Sequence, residues 1–163
     1  MGGYKVKIFL ITLPLLFSCS EQVQTFFKVS YEKALVAGRS PGEKLISTYQ
    51  SVLQSECAKG DILKINQNVL LPEVVGKGEK INHRIVYTLC TESSVKGEIV
   101  RSVIKDNKTV MVDRSEYEFK PGKWSLDAFV VVPKEAPLGN YVFESILKYK
   151  GETNRSRFPF VVK

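Results

Sequence analysis

The chain predicts a mainly β protein, an antiparallel β-sandwich of about seven strands preceded by one or two short N-terminal helices. Three observations carry this. From residue 61 onward apolar residues recur with period two, as in Lys80 to Cys90 (KINHRIVYTLC). Turn-forming runs such as Gly76-Lys77-Gly78, Asp106-Asn107-Lys108, Pro121-Gly122, Pro137-Leu138-Gly139-Asn140 and Gly151-Glu152-Thr153-Asn154 separate these stretches at strand-length intervals. Before residue 61 the apolar spacing is helical instead.

The elements follow in chain order. Residues 1–18 have the form of a secretory leader: Lys5 and Lys7, then the apolar run Ile8 to Phe17, then small residues. That run is far short of the ~20 residues needed to cross a bilayer, and Pro14 interrupts it. Leu16-Phe17-Ser18-Cys19 resembles the bacterial lipobox, although Phe17 is bulky for its slot. The resemblance implies a diacylglycerol on the Cys19 sulfur, cleavage before Cys19 and further acylation of the new amino group. Two or more chains hold a protein stably on a membrane, whereas one does so only marginally. Ser20, where an Asp would signal inner-membrane retention in Gram-negative lipoproteins, implies the outer membrane.

Residues 19–60 read as the lipidated cysteine followed by a helical segment. Val23, Phe26, Phe27, Tyr31, Ala34 and Leu35 have helical spacing up to Gly38, with an irregular segment as the alternative. No long polar tether follows Cys19, so the folded part is expected close to the membrane. Ser40-Pro41-Gly42-Glu43 has the form of a capping box. It predicts a helix over 41–58 with Leu45, Ile46, Tyr49, Val52, Leu53 and Cys57 on one stripe.

Residues 61–163 supply the strands. Ile62 to Ile65 and Val69 to Leu71 are strand pieces. In the next strand Ile81, His83, Ile85, Tyr87 and Leu89 share the face expected to point inward, and Cys90 falls opposite or at the rim. Glu98 to Lys105 and Thr109 to Arg114 flank a hairpin turn. Trp124, Leu126, Ala128, Val130 and Val132 alternate inward, as do Tyr141, Phe143, Ser145, Leu147 and Tyr149, and then Phe158, Phe160 and Val162.

The run PGKWSLDAFVVVPKEAPLGNYVFESIL resembles the immunoglobulin-like domains of bacterial envelope proteins. Those often end one strand in Val-Pro and enter the next through Pro-x-Gly-x-Tyr, here Val132-Pro133 and Pro137 to Tyr141. The resemblance implies an immunoglobulin-like sandwich over about residues 61–163. It says little of function, because such sandwiches host many unrelated roles.

Cysteine usage is more pointed. With Cys19 acylated, Cys57 and Cys90 remain in an exported chain, which favours a disulfide over two free thiols. A helix ending in Cys57 has a stripe to bury near the rim where Cys90 sits, so one bond would pin helix to sheet. Two cysteines and one histidine do not make a four-ligand zinc site, and no cofactor is expected.

Losing Lys5 and Lys7 with the leader lowers the 24 Lys and Arg to 22 against 17 acids, a balance of +5. The charges are spread along the chain. They suit a solvated surface or attraction to an anionic envelope polymer, and not a nucleic acid in an exported protein. His83 has no second base beside a serine, so no Ser-His-Asp set is expected. VGKGEK (75–80) lacks the phosphate-loop spacing and reads as a turn. Glu116 and Glu118 share one strand face and read as a solvated edge rather than as carboxylates across a cleft. Tyr117 and Trp124 are candidates for stacking on a sugar, with Trp124 expected in the core. The expectation is a non-catalytic envelope lipoprotein that engages a protein partner. The alternative is a binder of glycan or anionic polymer.

Overall fold

The structure is a computed structural model and describes residues 28–31, 42–57 and 62–163. Among these lie β1 (Lys28–Tyr31), β2 (Glu43–Ser47), α1 (Tyr49–Ser55), β3 (Leu63–Leu71), β4 (Val74–Val75) and β5 (Lys80–Leu89). There follow β6 (Val95–Lys105), β7 (Lys108–Phe119), β8 (Gly122–Val131), β9 (Gly139–Tyr149) and β10 (Glu152–Val162). One sheet runs β1-β8-β5-β3, with β2 sharing the edge of β8 beside β1; the other runs β4-β10-β9-β6-β7. All pairings are antiparallel except β4 with β10.

The two sheets form the β-sandwich the alternation predicts. Its seven long strands, β3 and β5 to β10, are the seven expected. Strand β3 is continuous where the sequence suggests two pieces, with an irregularity between Ile65 and Gln67. Consecutive strands β5 and β6, then β7 and β8, then β8 and β9, cross between sheets, as in immunoglobulin-like sandwiches. Tyr141 supports the same reading. It opens β9, and its hydroxyl donates to the Pro137 carbonyl at 2.6 Å, closing the corner between β8 and β9 as a tyrosine corner does. In the turn between β6 and β7, Asp106 and Asn107 both take positive φ, 49° and 61°, as a two-residue hairpin with type I′ geometry requires.

Two helical expectations are corrected. Residues 28–31, inside the predicted helix over 21–37, form strand β1, which pairs with Val131 to Ala128 of β8. The rest of that predicted helix lies outside the described residues. The helix expected over 41–58 is reduced to α1. Its first part is β2, which pairs with Leu126 to Lys123 of β8. Gly42 explains the change: its φ is +77°, so it cannot continue a right-handed helix. A Cβ there would stand 2.1 Å from the Asp127 carbonyl oxygen. The strand edge offered by β8 captures this segment, and the sheet thereby begins upstream of residue 61.

The core has two parts. At one end Ile81, Val103, Val130, Phe143 and Phe160 pack with their neighbours; at the other, Ile85, Tyr87, Ile99, Phe119 and Leu147 do so. The N-terminus of β1 lies at the first end, opposite Val131.

Candidate interaction surface

The residues singled out in the sequence end up far apart. Cys19 lies outside the described residues. Cys57 and Cys90 are bonded, with their Cα atoms 5.5 Å apart. The bond joins the end of α1 to the end of β5, as the apolar stripe suggested. Glu56 adds to this junction: it bonds Lys123 Nζ at 2.8 Å, accepts from Thr88 Oγ1 at 2.8 Å and from Asn66 Nδ2 at 3.2 Å. The Lys123 ammonium, chiefly, holds the Glu56 carboxyl below the usual carboxylate range. The Gly76 to Gly78 run is a turn, tied by Gly78 N–H to the Val132 carbonyl.

His83 is fully buried in a polar layer between the two parts of the core. Arg101 Nε donates to its Nδ1 at 3.1 Å, so that nitrogen is an acceptor. Nε2 therefore carries the proton and donates to Asn68 Oδ1 at 2.8 Å. Burial, then the charge of Arg101, holds the imidazole well below its ordinary pKa. Arg101 reaches Asp113 Oδ2 at 3.2 Å. In register, Asp113, Arg101, Ser145 and Ser156 form one row across β7, β6, β9 and β10. Arg101 lies between Ile99 and Val103, and Ser145 between Phe143 and Leu147, so these two polar residues divide the core. The bond between Arg101 of β6 and His83 of β5 ties the two sheets together.

A second inward cluster involves Tyr117. Its hydroxyl donates to Glu43 Oε1, and Lys120 Nζ meets Glu43 Oε2 at 2.6 Å. Tyr87 OH lies 3.2 Å from Tyr117 OH and accepts from Lys120 N–H. Burial raises both phenols, Tyr87 to about 12. Trp124 is buried, with Nε1 donating to the Pro121 carbonyl at 2.9 Å. Trp124 thus serves the interior, while Tyr117 is half-buried and borders an open depression.

Glu116 and Glu118 do lie on the outer face of β7, exposed. Glu116 is opposite Glu98 and Glu118 opposite Lys96, and these line an open depression of about 660 Å³. Among the described residues no group of three or more His, Cys, Asp or Glu is placed to hold a metal ion.

The feature the sequence reading missed is on the outer face of the β7-β6-β9-β10 region. The register aligns Arg114, Val100, Ile146 and Arg155 in one cross-strand row. The next row is Val112, Ser102, Glu144 and Arg157. At the usual strand spacing the first row spans about 14 Å. Its centre is apolar, with Val100 4% exposed and Ile146 half-buried, and its ends are cationic. Each nearby carboxylate lies between two cations: Glu98 between Lys148 at 2.8 Å and Arg114 at 3.6 Å, Glu144 between Arg157 at 2.8 Å and Arg155 at 3.9 Å. The Lys148 hydrogen bond, chiefly, lowers the Glu98 pKa. Such exposed pairs add little stability. They do orient the guanidinium groups, whose side chains remain 57–63% exposed while Glu144 is only 11% exposed. Each set leaves one positive charge in excess. The signal was legible only by pairing strands, since Arg114 and Arg155 are 41 residues apart (155 − 114).

No protein-family model matches the chain, and no curated protein matches it. Solved structures that it is similar to include the sporulation control protein Spo0M from Bacillus subtilis, at 14% identity and TM-score 0.45, over 63% of this chain and 50% of that one. The alkylpurine DNA glycosylase AlkC of Pseudomonas fluorescens is 12% identical at TM-score 0.44, over 71% and 34% of the two chains. A Niemann-Pick type C2 protein from Japanese carpenter ant is 10% identical at TM-score 0.44, over 65% and 96%. The chain spans half or less of the first two of these structures, and likenesses this distant assign no activity.

Proposed function

We propose that the chain is an exported lipoprotein, acylated on Cys19 and anchored to the outer membrane, that works as a non-catalytic interaction module for an envelope protein. The observation that carries the docking part is the row Arg114, Val100, Ile146 and Arg155. An apolar centre edged by arginine is the anatomy of a protein interface. A glycan site would call for exposed aromatic rings; Trp124 is buried, and the half-buried Tyr117 holds its hydroxyl on Glu43. The anchor rests on Leu16-Phe17-Ser18-Cys19.

A photo-crosslinking residue in place of Ile146, in intact envelopes, is expected to capture one envelope protein reproducibly. Replacing Arg114 and Arg155 together by alanine is expected to weaken that association at least about tenfold, the effect of ~1.4 kcal/mol. Absence of a protein adduct, with salt-sensitive binding to purified polysaccharide, would replace this reading by the glycan or anionic-polymer one.

A further inference from the structure

We infer that the end of the sandwich where β1 begins seats on the bilayer itself, through exposed aliphatic side chains at its strand ends and loops, set among lysines. The inference deepens the lipoprotein reading and rests on it. Strand β1 starts at Lys28 opposite Val131, at the end where β8 and β10 finish and β5, β7 and β9 begin. Eight residues lie between Cys19 and Lys28, a distance of nine chain steps (28 − 19). Fully extended they reach at most about 30 Å, roughly the length of a ten-residue strand. The tether is thus rooted at this end, and the acylated residue lies within that reach of Lys28.

The surface there is unusual for one in water. Leu71, Val74 and Leu138 are 59%, 46% and 60% exposed. Leu71 follows buried Leu70 and Val74 precedes buried Val75 in the chain. Val74 lies beside Val161 of β10, and Leu138 precedes Gly139, which faces Val162 of the same strand. Two of the three thus flank the end of one strand. Isolated exposed aliphatics need no explanation, but a group at the end of the sandwich from which the anchor's tether starts does.

The cations complete the pattern. Lys77, Lys80, Lys105, Lys108, Lys134 and Lys163 lie at this end, five of them exposed. Among the described residues the acidic side chains there are four: Glu73, Glu79, Asp106 and Glu135. Glu79 is engaged by the Gly76 N–H at 2.7 Å. Lys105 Nζ donates to the Leu138 carbonyl at 3.2 Å, which fixes that loop tip. Aliphatic side chains that enter the headgroup boundary, with lysines beside them, suit a surface of anionic lipid. The occupant is then the same membrane that holds the acyl chains, and docking orients the arginine-edged sheet face sideways, parallel to the membrane normal.

The test uses the full acylated protein in vesicles of phosphatidylethanolamine with or without phosphatidylglycerol. A nitroxide is placed on Leu138→Cys, and separately on Ser93→Cys at the opposite end, with intact mass confirming the native disulfide and the acyl chains. The expected result is loss of accessibility to a water-soluble nickel quencher at 138 and none at 93. The loss should diminish without phosphatidylglycerol or in the Lys77→Glu, Lys134→Glu double variant. Equal water accessibility at both positions in an acylated protein overturns the platform and leaves the anchor standing. Unacylated Cys19 overturns both. Protection at 138 in native envelopes but not in lipid vesicles would assign the platform to a protein and also overturn it.

Discussion

Between Ile81 and Ile85, where alternation calls for a third aliphatic side chain, the chain places its one histidine. Sequence alone put His83 on the inward face but not in a network. Its partner Arg101 is just as visible once β6 is read with period two, between inward Ile99 and Val103. What the sequence does not show is that these two positions, on different sheets, meet. The buried imidazole is neutral, held so by desolvation and by Arg101, while Asn68 is bonded to its other nitrogen and Asp113 to the far side of Arg101. The consequence for stability has a definite sign. The unfolded chain takes up a proton below about pH 6.5, and the folded one does so only at lower pH. Stability from this group is therefore complete above pH 6.5 and falls as the pH drops through the window beneath it. At pH 5, 1.5 units lower, the loss reaches up to about 2 kcal/mol at ~1.36 kcal/mol per unit. Denaturant midpoints measured from pH 7 to 5 should show this decline, and His83→Gln should flatten it. An unchanged slope in the variant would show that other groups carry the dependence.

Among the elements, α1 depends most on its junction. It has seven residues and one buried side chain, Val52, too little to hold a helix by itself. The Cys57–Cys90 bond and the Glu56 contacts secure its end to β3, β5 and β8. Cys57→Ser is expected to lower stability by about 2–5 kcal/mol, measured by chemical denaturation. A loss under ~1 kcal/mol would mean that the Glu56 contacts suffice. The same neighbourhood shows the limit of sequence reading. From β5 onward the strands were legible because each has its own period-two pattern. β2 was not, because Leu45, Ile46, Tyr49, Val52 and Leu53 fit a helix stripe equally well, and the choice is made by β8, a strand about eighty residues away. β1 was missed for the same reason. Local spacing cannot report an edge supplied from so far along the chain.

For the whole molecule, the location prediction is the simplest to check. Cys19→Ala is expected to move the protein from the membrane fraction to the soluble one, read by fractionation and by the mass of its N-terminal peptide. Membrane retention of that variant would require another attachment. The interaction face belongs to this scale too: Arg114 and Arg155 become neighbours in function only through three strand pairings. The placement of β1 and β2 has a kinetic consequence as well. Lys28 meets Val131, 103 residues downstream (131 − 28), and Glu43 meets Leu126. Contacts at such separation form slowly. During synthesis these two strands are made first and stay open until β8 exists, while β5, β6, β7 and their hairpin are already complete. Chain growth thus leaves the stretch nearest the proposed lipid attachment as the last part of the sheet to be fixed.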